Sequence, residues 1–138
     1  MRSVYVLDAC AMLAVLAKEQ GADRVVDAYK KAASGEIVLV MNKLNLLEVY
    51  YALFREYGRA SANKFVDVVK QSPIAINHEI SDEMFAHAGR LKATYKISLA
   101  DSIALAQTIV SDGMLMTCDH HEFDAVEVNE KMKFVWIR

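Results

Sequence analysis

Hydrophobic positions along the chain form two kinds of run, which are short β-branched clusters and longer stretches with helical spacing. The short clusters predict buried strands at residues 4–7, 37–40, 74–76, 114–117 and 133–137. Apolar residues spaced three or four positions apart predict helices at residues 11–18, 22–33, 43–57, 59–71, 82–95 and 99–110. Strands that alternate with helices and are apolar throughout are typical of a parallel sheet covered on both faces. The predicted fold class is therefore α/β, a three-layer α/β/α arrangement around a mostly parallel central sheet.

The composition supports one folded domain. The chain has 138 residues, of which 54% are hydrophobic, so it is long enough to bury a core and too apolar to be intrinsically disordered. Its five glycines are scattered and its one proline is Pro73, so no linker separates two parts. We expect a single domain over residues 1–138.

The charge balance excludes one class of nucleic-acid binder. Sixteen Lys and Arg against eighteen Asp and Glu give a net charge of −2, which excludes a basic protein that coats nucleic acid. A small acidic groove that contacts nucleic acid through bound cations is still compatible with this charge. We interpret the two cysteines as small buried apolar residues. Because the sequence has no run of apolar residues long enough to span a membrane, we expect a cytoplasmic protein.

Four acidic residues occupy positions where an unpaired carboxylate is costly. Asp8 and Asp119 follow the strands predicted at 4–7 and 114–117, while Glu48 and Asp101 share helix faces with apolar residues. Because parallel strands end at the same edge of a sheet, we expect the four carboxylates to converge there. Like charges at close range cannot all stay ionised, so the set predicts a hard divalent cation, Mg²⁺ or Mn²⁺.

Each of these acids also has a structural interpretation that the sequence leaves open. Asp8 is suited to cap a helix, and Asp101 follows Ser98 at the spacing of a capping box. Asp119 is suited to a turn. Glu48 is suited to reach solvent or to pair with Lys43 or Arg55 on its own helix.

Taken together, these residues resemble the PIN domain, and more narrowly the VapC-type toxins of prokaryotic toxin–antitoxin pairs. The matching segments occur in the family's order at residues 4–9, 47–49, 98–106 and 117–119, with Phe123 behind the last. The resemblance implies a Mg²⁺-dependent endoribonuclease that cleaves single-stranded RNA with a metal-activated water. It also implies a homodimer whose toxicity a separate antitoxin protein neutralises.

By the same resemblance, a set of acids would bind the metal and carry catalysis, namely Asp8, Glu48, Asp101 and Asp119. Thr117 matches a hydroxyl residue that supports this site. The sequence departs from the family at Cys10, where Ser, Thr or Asn is usual, because a thiol is a poorer partner for Mg²⁺ or phosphate. The four carboxylates do not depend on that contact.

Two other functions are compatible with parts of the pattern. The first is a non-catalytic interaction module that keeps the PIN fold without its activity. The second is another enzyme with an Asp at a strand end, such as an aspartyl-phosphate phosphatase or a receiver domain. A phosphatase would require a second Asp at position 10, which is a cysteine here. We interpret His120 and His121 as exposed loop residues.

Overall fold

The central sheet contains five strands, which are β1 (Ser3–Leu7), β2 (Ile37–Asn42), β3 (Ala75–Asn77), β4 (Met114–Thr117) and β5 (Lys133–Trp136). They are seen in a computed structural model that describes residues 2–138. Their order across the sheet is β3-β2-β1-β4-β5, and each neighbouring pair is parallel. This confirms the predicted parallel α/β fold.

Seven helices connect these strands and cover the sheet. Their bounds are α1 (Ala9–Leu16), α2 (Ala22–Ala33), α3 (Lys43–Tyr57), α4 (Arg59–Lys70), α5 (Asp82–Thr94), α6 (Leu99–Val110) and α7 (His120–Asn129). One core cluster joins α1–α4 to a sheet face that includes Leu7 and Met116. A second cluster joins α5, α6 and α7 to the opposite face through Val6 and Leu115. Adjacent strand residues thus point into different layers, as the pleat of a sheet requires.

The sequence pattern missed one helix and misplaced another. Residues 120–129 form α7, where no helix was predicted. Its buried positions are Phe123 and Val126, and so short an apolar face is a weak periodic signal. Helix α1 begins at Ala9, two residues before the predicted start, because the Asp8 side chain caps it. The predicted bounds of α2, α3 and α6 are confirmed.

The strands are added on opposite sides of β1 in the two halves of the chain. Strands β2 and β3 lie on one side of β1, and β4 and β5 lie on the other. Such a switch point leaves a crevice beyond the carboxyl ends of the two central strands, where α/β proteins place their ligands. Leu7 pairs with Met116, and the Asp8 N–H donates to the Met116 carbonyl at 3.4 Å. Asp8 and Thr117 therefore lie next to each other at this edge.

The helices are not membrane spans. Among residues 2–138, none of them is both long enough and apolar enough to cross a bilayer.

Candidate active site

Asp8 lies at the crevice between β1 and β4 and is almost completely buried, with 3% of its surface exposed. Its Oδ1 accepts a hydrogen bond from the Ala11 N–H at 2.9 Å, which caps α1. Burial raises the pKa of Asp8 from 3.8 to about 7, more than the Thr117 hydroxyl and the Ala11 N–H lower it. The charges of Asp101 and Asp119 raise this pKa further. The carboxylate is therefore a helix cap and also the buried member of an acidic cluster.

Asp101 lies in the first turn of α6 and forms the predicted capping box with Ser98. The Ser98 N–H donates to Asp101 Oδ2 at 3.2 Å, and the Asp101 N–H donates to Ser98 Oγ at 3.0 Å. Burial raises the pKa of Asp101, the two Ser98 bonds lower it, and the charges of Asp119 and Glu122 raise it. The capping role is confirmed, and the same carboxylate is electrostatically coupled to other acids.

Asp119 caps the helix that the sequence pattern missed. Its Oδ1 accepts from the Glu122 N–H at 3.2 Å at the start of α7. Its own N–H donates to the Thr117 hydroxyl oxygen at 3.1 Å, so Thr117 lies between Asp8 and Asp119. The turn interpretation was incomplete, because this residue starts a helix whose N-terminus faces the acidic cluster.

Glu48 differs from the other three acids because it caps no helix. It lies half-buried on α3, where burial raises its pKa and the charges of Asp101 and Asp119 raise it further. Within residues 2–138, no cation lies at ion-pair distance from its carboxylate. The ion-pair interpretation, in which Lys43 or Arg55 would be the partner, is therefore wrong. Arg55 instead lies over the Tyr51 ring, at 5.0 Å from its centroid.

The four acids are electrostatically coupled, because the charges of other acids in this set raise the pKa of Asp8, Glu48 and Asp101. Three of them lie at helix N-termini, two as the cap and Asp101 in the first turn, and the positive end of a helix dipole stabilises a nearby negative charge. In the described part of the chain, no three His, Cys, Asp or Glu side chains are arranged to enclose a metal ion. The donor chemistry fits Mg²⁺ or Mn²⁺, because these ions prefer carboxylate oxygens and because a cation would relieve the repulsion within the cluster.

His120 is fixed in α7 and is not a loop residue. Its Nδ1 lies 2.9 Å from Asp124 Oδ1, and its Nε2 lies 2.8 Å from the carbonyl oxygen of Arg138. Its ring stacks on Trp136 with centroids 3.8 Å apart. Hydrogen bonding to Asp124, and then to the Arg138 carbonyl, raises the pKa of His120. Both ring nitrogens are engaged, so His120 is poorly placed to shuttle protons.

The two cysteines are joined to each other, which corrects their interpretation as separate apolar residues. Cys10 and Cys118 form a disulfide whose Cα atoms are 6.0 Å apart, an ordinary separation for such a bond. The sequence contained one signal for this pairing. Each cysteine lies within two residues of an acid predicted to reach the same sheet edge, Asp8 in one case and Asp119 in the other.

The sequence matches one protein-family model over most of its length. The family model described as PIN domain matches residues 5–129. The chain belongs to the PIN domain family. The acids of the crevice all lie inside the matched region, as do both cysteines. Comparison with curated proteins finds no match.

Solved structures of toxin–antitoxin proteins share the fold of this PIN domain. DNA-bound VapBC from Salmonella typhimurium has a TM-score of 0.73 at 10% identity, with 100% of both chains covered. VapBC2 from Rickettsia felis, bound to a promoter DNA fragment, has a TM-score of 0.72 at 14% identity, with 96% of this chain and 97% of that chain covered. VapC20 from Mycobacterium tuberculosis, a toxin that cleaves the sarcin–ricin loop, has a TM-score of 0.65 at 17% identity, with 90% and 95% covered. At these identities the likeness concerns the fold.

Proposed function

We propose that this PIN domain, spanning residues 1–138, is a Mg²⁺-dependent endoribonuclease and the toxin of a toxin–antitoxin pair. The proposal is carried by the electrostatic coupling of four carboxylates, three of which have their pKa raised by the charges of others in the set. An acidic cluster of this kind is unfavourable without a cation, and phosphodiester hydrolysis uses such cations. We also propose that the protein is cytoplasmic and that its substrate is single-stranded RNA.

The proposed metal and catalytic residues are Asp8, Glu48, Asp101 and Asp119. Three of these carboxylates accept a backbone N–H, which fixes their orientation. Thr117 orients Asp119 by accepting its N–H, and its hydroxyl lies at Asp8. Glu48 has no such bond and remains free to adjust. A bound Mg²⁺ or Mn²⁺ would supply charge neutralisation and a more acidic water for attack on the phosphate.

The direct test is cleavage of a labelled single-stranded RNA by the purified protein. We expect cleavage with Mg²⁺ or Mn²⁺ and none with EDTA, because the carboxylates alone repel a phosphate. A double-stranded RNA of the same sequence serves as the matched substrate control. Cleavage that is unaffected by EDTA would contradict metal dependence, and binding without cleavage would favour the non-catalytic PIN-fold module.

The residue at position 10 argues against the phosphatase alternative. An aspartyl-phosphate phosphatase needs an acid–base group two residues after its nucleophilic Asp. The residue there is Cys10, whose sulfur is bonded to Cys118. It can neither give nor accept a proton in that state. We therefore do not expect hydrolysis of a phosphomonoester such as p-nitrophenyl phosphate.

An antitoxin partner is supported by an apolar groove away from the acidic crevice. The groove has a volume of about 350 Å³ and lies between α1, α2 and α4. Its lining includes side chains that are large, apolar and exposed, namely Leu16, Val26, Tyr29 and Val68. Exposed apolar patches of this kind mark protein interaction sites. We propose that an apolar segment of the antitoxin binds here, as a separate chain.

A charge placed in the groove tests this partner site. Val68 is 58% exposed, so Val68→Asp should leave the fold intact and weaken binding of the cognate antitoxin. Val128→Asp on α7 is the matched control, because Val128 is 83% exposed and lies outside the groove. Equal antitoxin affinity in the two variants would contradict the groove as the docking site.

A homodimer is supported by a second exposed apolar surface, formed mainly by α3. It consists of Leu47, Tyr51, Phe54 and Tyr57 on α3 and Leu99 on α6. Glu48 is next to Leu47 in sequence, so a dimer formed here would place the acidic crevice near the interface. Sedimentation of the wild type against Leu47→Glu tests the dimer. A wild type that is monomeric at all concentrations would contradict it.

A further inference from the structure

The disulfide between Cys10 and Cys118 joins two segments that each carry an acid of the proposed site. Cys10 is in the first turn of α1, two residues after Asp8, and Cys118 lies between Thr117 and Asp119. The bond joins positions that are 108 residues apart in the sequence. It therefore connects the two backbone segments that carry Asp8 and Asp119.

These two segments carry charges that push them apart. The Asp119 N–H donates to the Thr117 hydroxyl oxygen at 3.1 Å and that hydroxyl also lies at Asp8, so two acidic residues flank one side chain. The backbone pairing of β1 with β4 ends at the 3.4 Å hydrogen bond from the Asp8 N–H to the Met116 carbonyl. Beyond that point the disulfide is the covalent connection that opposes separation of Asp8 from Asp119.

We propose that the Cys10–Cys118 pair is a redox-controlled clamp that sets the affinity of the acidic site for divalent cations. In the disulfide form, Asp8 and Asp119 are held close before the cation arrives, so less free energy is spent on ordering them. In the dithiol form, the two segments separate more readily and the cation binds more weakly. This inference rests on the proposed function only in taking the four carboxylates as the cation site.

The exchange chemistry is balanced by a low-molecular-weight disulfide as the oxidant. Cys10 is the more exposed of the two, since Cys118 is only 8% exposed. The Cys10 thiolate attacks the oxidant RSSR, a mixed disulfide forms, and one RS⁻ leaves. The Cys118 thiolate then attacks the Cys10 sulfur and expels the second RS⁻, and the two RS⁻ take up the two thiol protons. Two electrons pass from the cysteines to the oxidant, and a dithiol reductant reverses both steps.

Linkage makes the clamp reciprocal. If the disulfide raises the affinity for the cation by a given factor, a bound cation must shift the equilibrium between dithiol and disulfide toward the disulfide by the same factor. We expect a factor of about ten, in the usual range for coupling between two sites. For a two-electron couple, that corresponds to a shift in reduction potential of about 30 mV.

The first test is calorimetric titration of the protein with Mn²⁺ in its two redox states. The disulfide form is prepared with oxidised glutathione and the dithiol form with a phosphine reductant, each verified by counting free thiols. We expect the Kd for Mn²⁺ to be about tenfold higher in the dithiol form. The double variant Cys10→Ala/Cys118→Ala is the control, and it should bind like the dithiol form with and without reductant.

The outcomes separate the clamp from the proposed function. Equal Mn²⁺ affinity in the two states would overturn the clamp and leave the cation site in place. Two free thiols per chain after oxidation would also overturn it. Absence of Mn²⁺ binding in both states would overturn the clamp and the proposed function together.

A second measurement uses only the wild-type chain. The ratio of disulfide to dithiol is measured in a series of glutathione buffers with and without saturating Mn²⁺. The clamp predicts a shift of about tenfold toward the disulfide when Mn²⁺ is present. An unchanged ratio would overturn the proposal even if the double alanine variant fails to fold.

Discussion

The side-chain amide of Asn45 donates a hydrogen bond to the carbonyl oxygen of Ala100 at 3.1 Å and joins α3 to α6 beside two site acids. Glu48 lies one turn further along α3, and Asp101 directly follows Ala100. Asn45 is 1% exposed, so this bond is shielded from water. The relative position of Glu48 and Asp101 therefore depends on a buried contact between two neutral groups.

Replacing Asn45 by Ala should destabilise the fold and reduce cleavage. The Ala100 carbonyl, which lies inside α6 and keeps its helical partner, would lose this second hydrogen bond, with a net cost of about 0.5–1.5 kcal/mol. Part of this loss is offset because Asn45 Oδ1, a buried acceptor, has no hydrogen-bond partner within residues 2–138. Urea unfolding measures the change. Asn63→Ala is the control, since Asn63 makes an exposed bond to the Tyr50 hydroxyl, and a loss equal to that control would contradict the role of Asn45.

The stability of the metal-free protein should fall as the pH rises from about 4 to about 7. Burial raises the pKa of Asp8 from 3.8 to about 7 in the fold. Well below pH 3.8 the group is protonated in both states, so it makes no difference. Between these values the unfolded chain releases its proton while the folded chain retains it, which favours unfolding by up to about 4 kcal/mol.

Asp8→Asn should flatten this dependence, because the amide keeps the shape and the cap but does not titrate. Chemical unfolding at several pH values with EDTA present measures the slope. Asp67→Asn on α4 removes an exposed carboxylate and should keep the wild-type slope. Equal slopes in the wild type and in Asp8→Asn would contradict the raised pKa of Asp8.

Glu48→Gln should leave the metal-free stability unchanged or slightly raised, because one repelling charge is removed at nearly constant shape. Mn²⁺ at a hundredfold excess over its Kd should stabilise the wild type by about 2.7 kcal/mol. For a chain of this size, that raises the Tm by roughly 10 °C. In the Gln variant the Tm shift should be markedly smaller.

The control for Glu48 lies on the same helix. Glu56→Gln removes an exposed carboxylate at the other end of α3 and should keep the full metal-dependent Tm shift. If Glu48→Gln responded to Mn²⁺ as this control does, Glu48 would not belong to the site.

The ends of the RNA products report the attacking group. Attack by water activated at the carboxylate site should leave 5′-phosphate and 3′-hydroxyl ends. Mass spectrometry of the fragments distinguishes these from 2′,3′-cyclic phosphates. Cyclic ends would mean that the ribose 2′-hydroxyl attacks and that the carboxylates do not carry this chemistry.

The sequence predicted the sheet and six of the seven helices, because their apolar runs have clear spacing. Helix α7 was missed since its buried face has only Phe123 and Val126. Asp101 shows why the acids were ambiguous. Its spacing from Ser98 correctly predicted a capping box, yet burial and charge coupling at the crevice depend on how α6 packs, which local sequence does not encode.

The pairing of the two cysteines could not be predicted from the sequence. Cys10 and Cys118 are separated by 108 residues, and their contact arises because β1 and β4 are neighbours in the sheet. A strand order of this kind is a property of the whole fold. The sequence pattern placed both cysteines near site acids, but the pairing required the order of the strands.

We propose above that these carboxylates carry metal-dependent RNA cleavage. The most direct test compares the wild type with Asp101→Asn on one labelled single-stranded RNA in Mg²⁺. The amide can still accept the Ser98 N–H, so the fold should persist by circular dichroism. Cleavage should fall by about a hundredfold or more, as expected when a charged group at the reacting phosphate is lost. Asp67→Asn should cut like the wild type, whereas a correctly folded Asp101→Asn that also cut at the wild-type rate would contradict the claim.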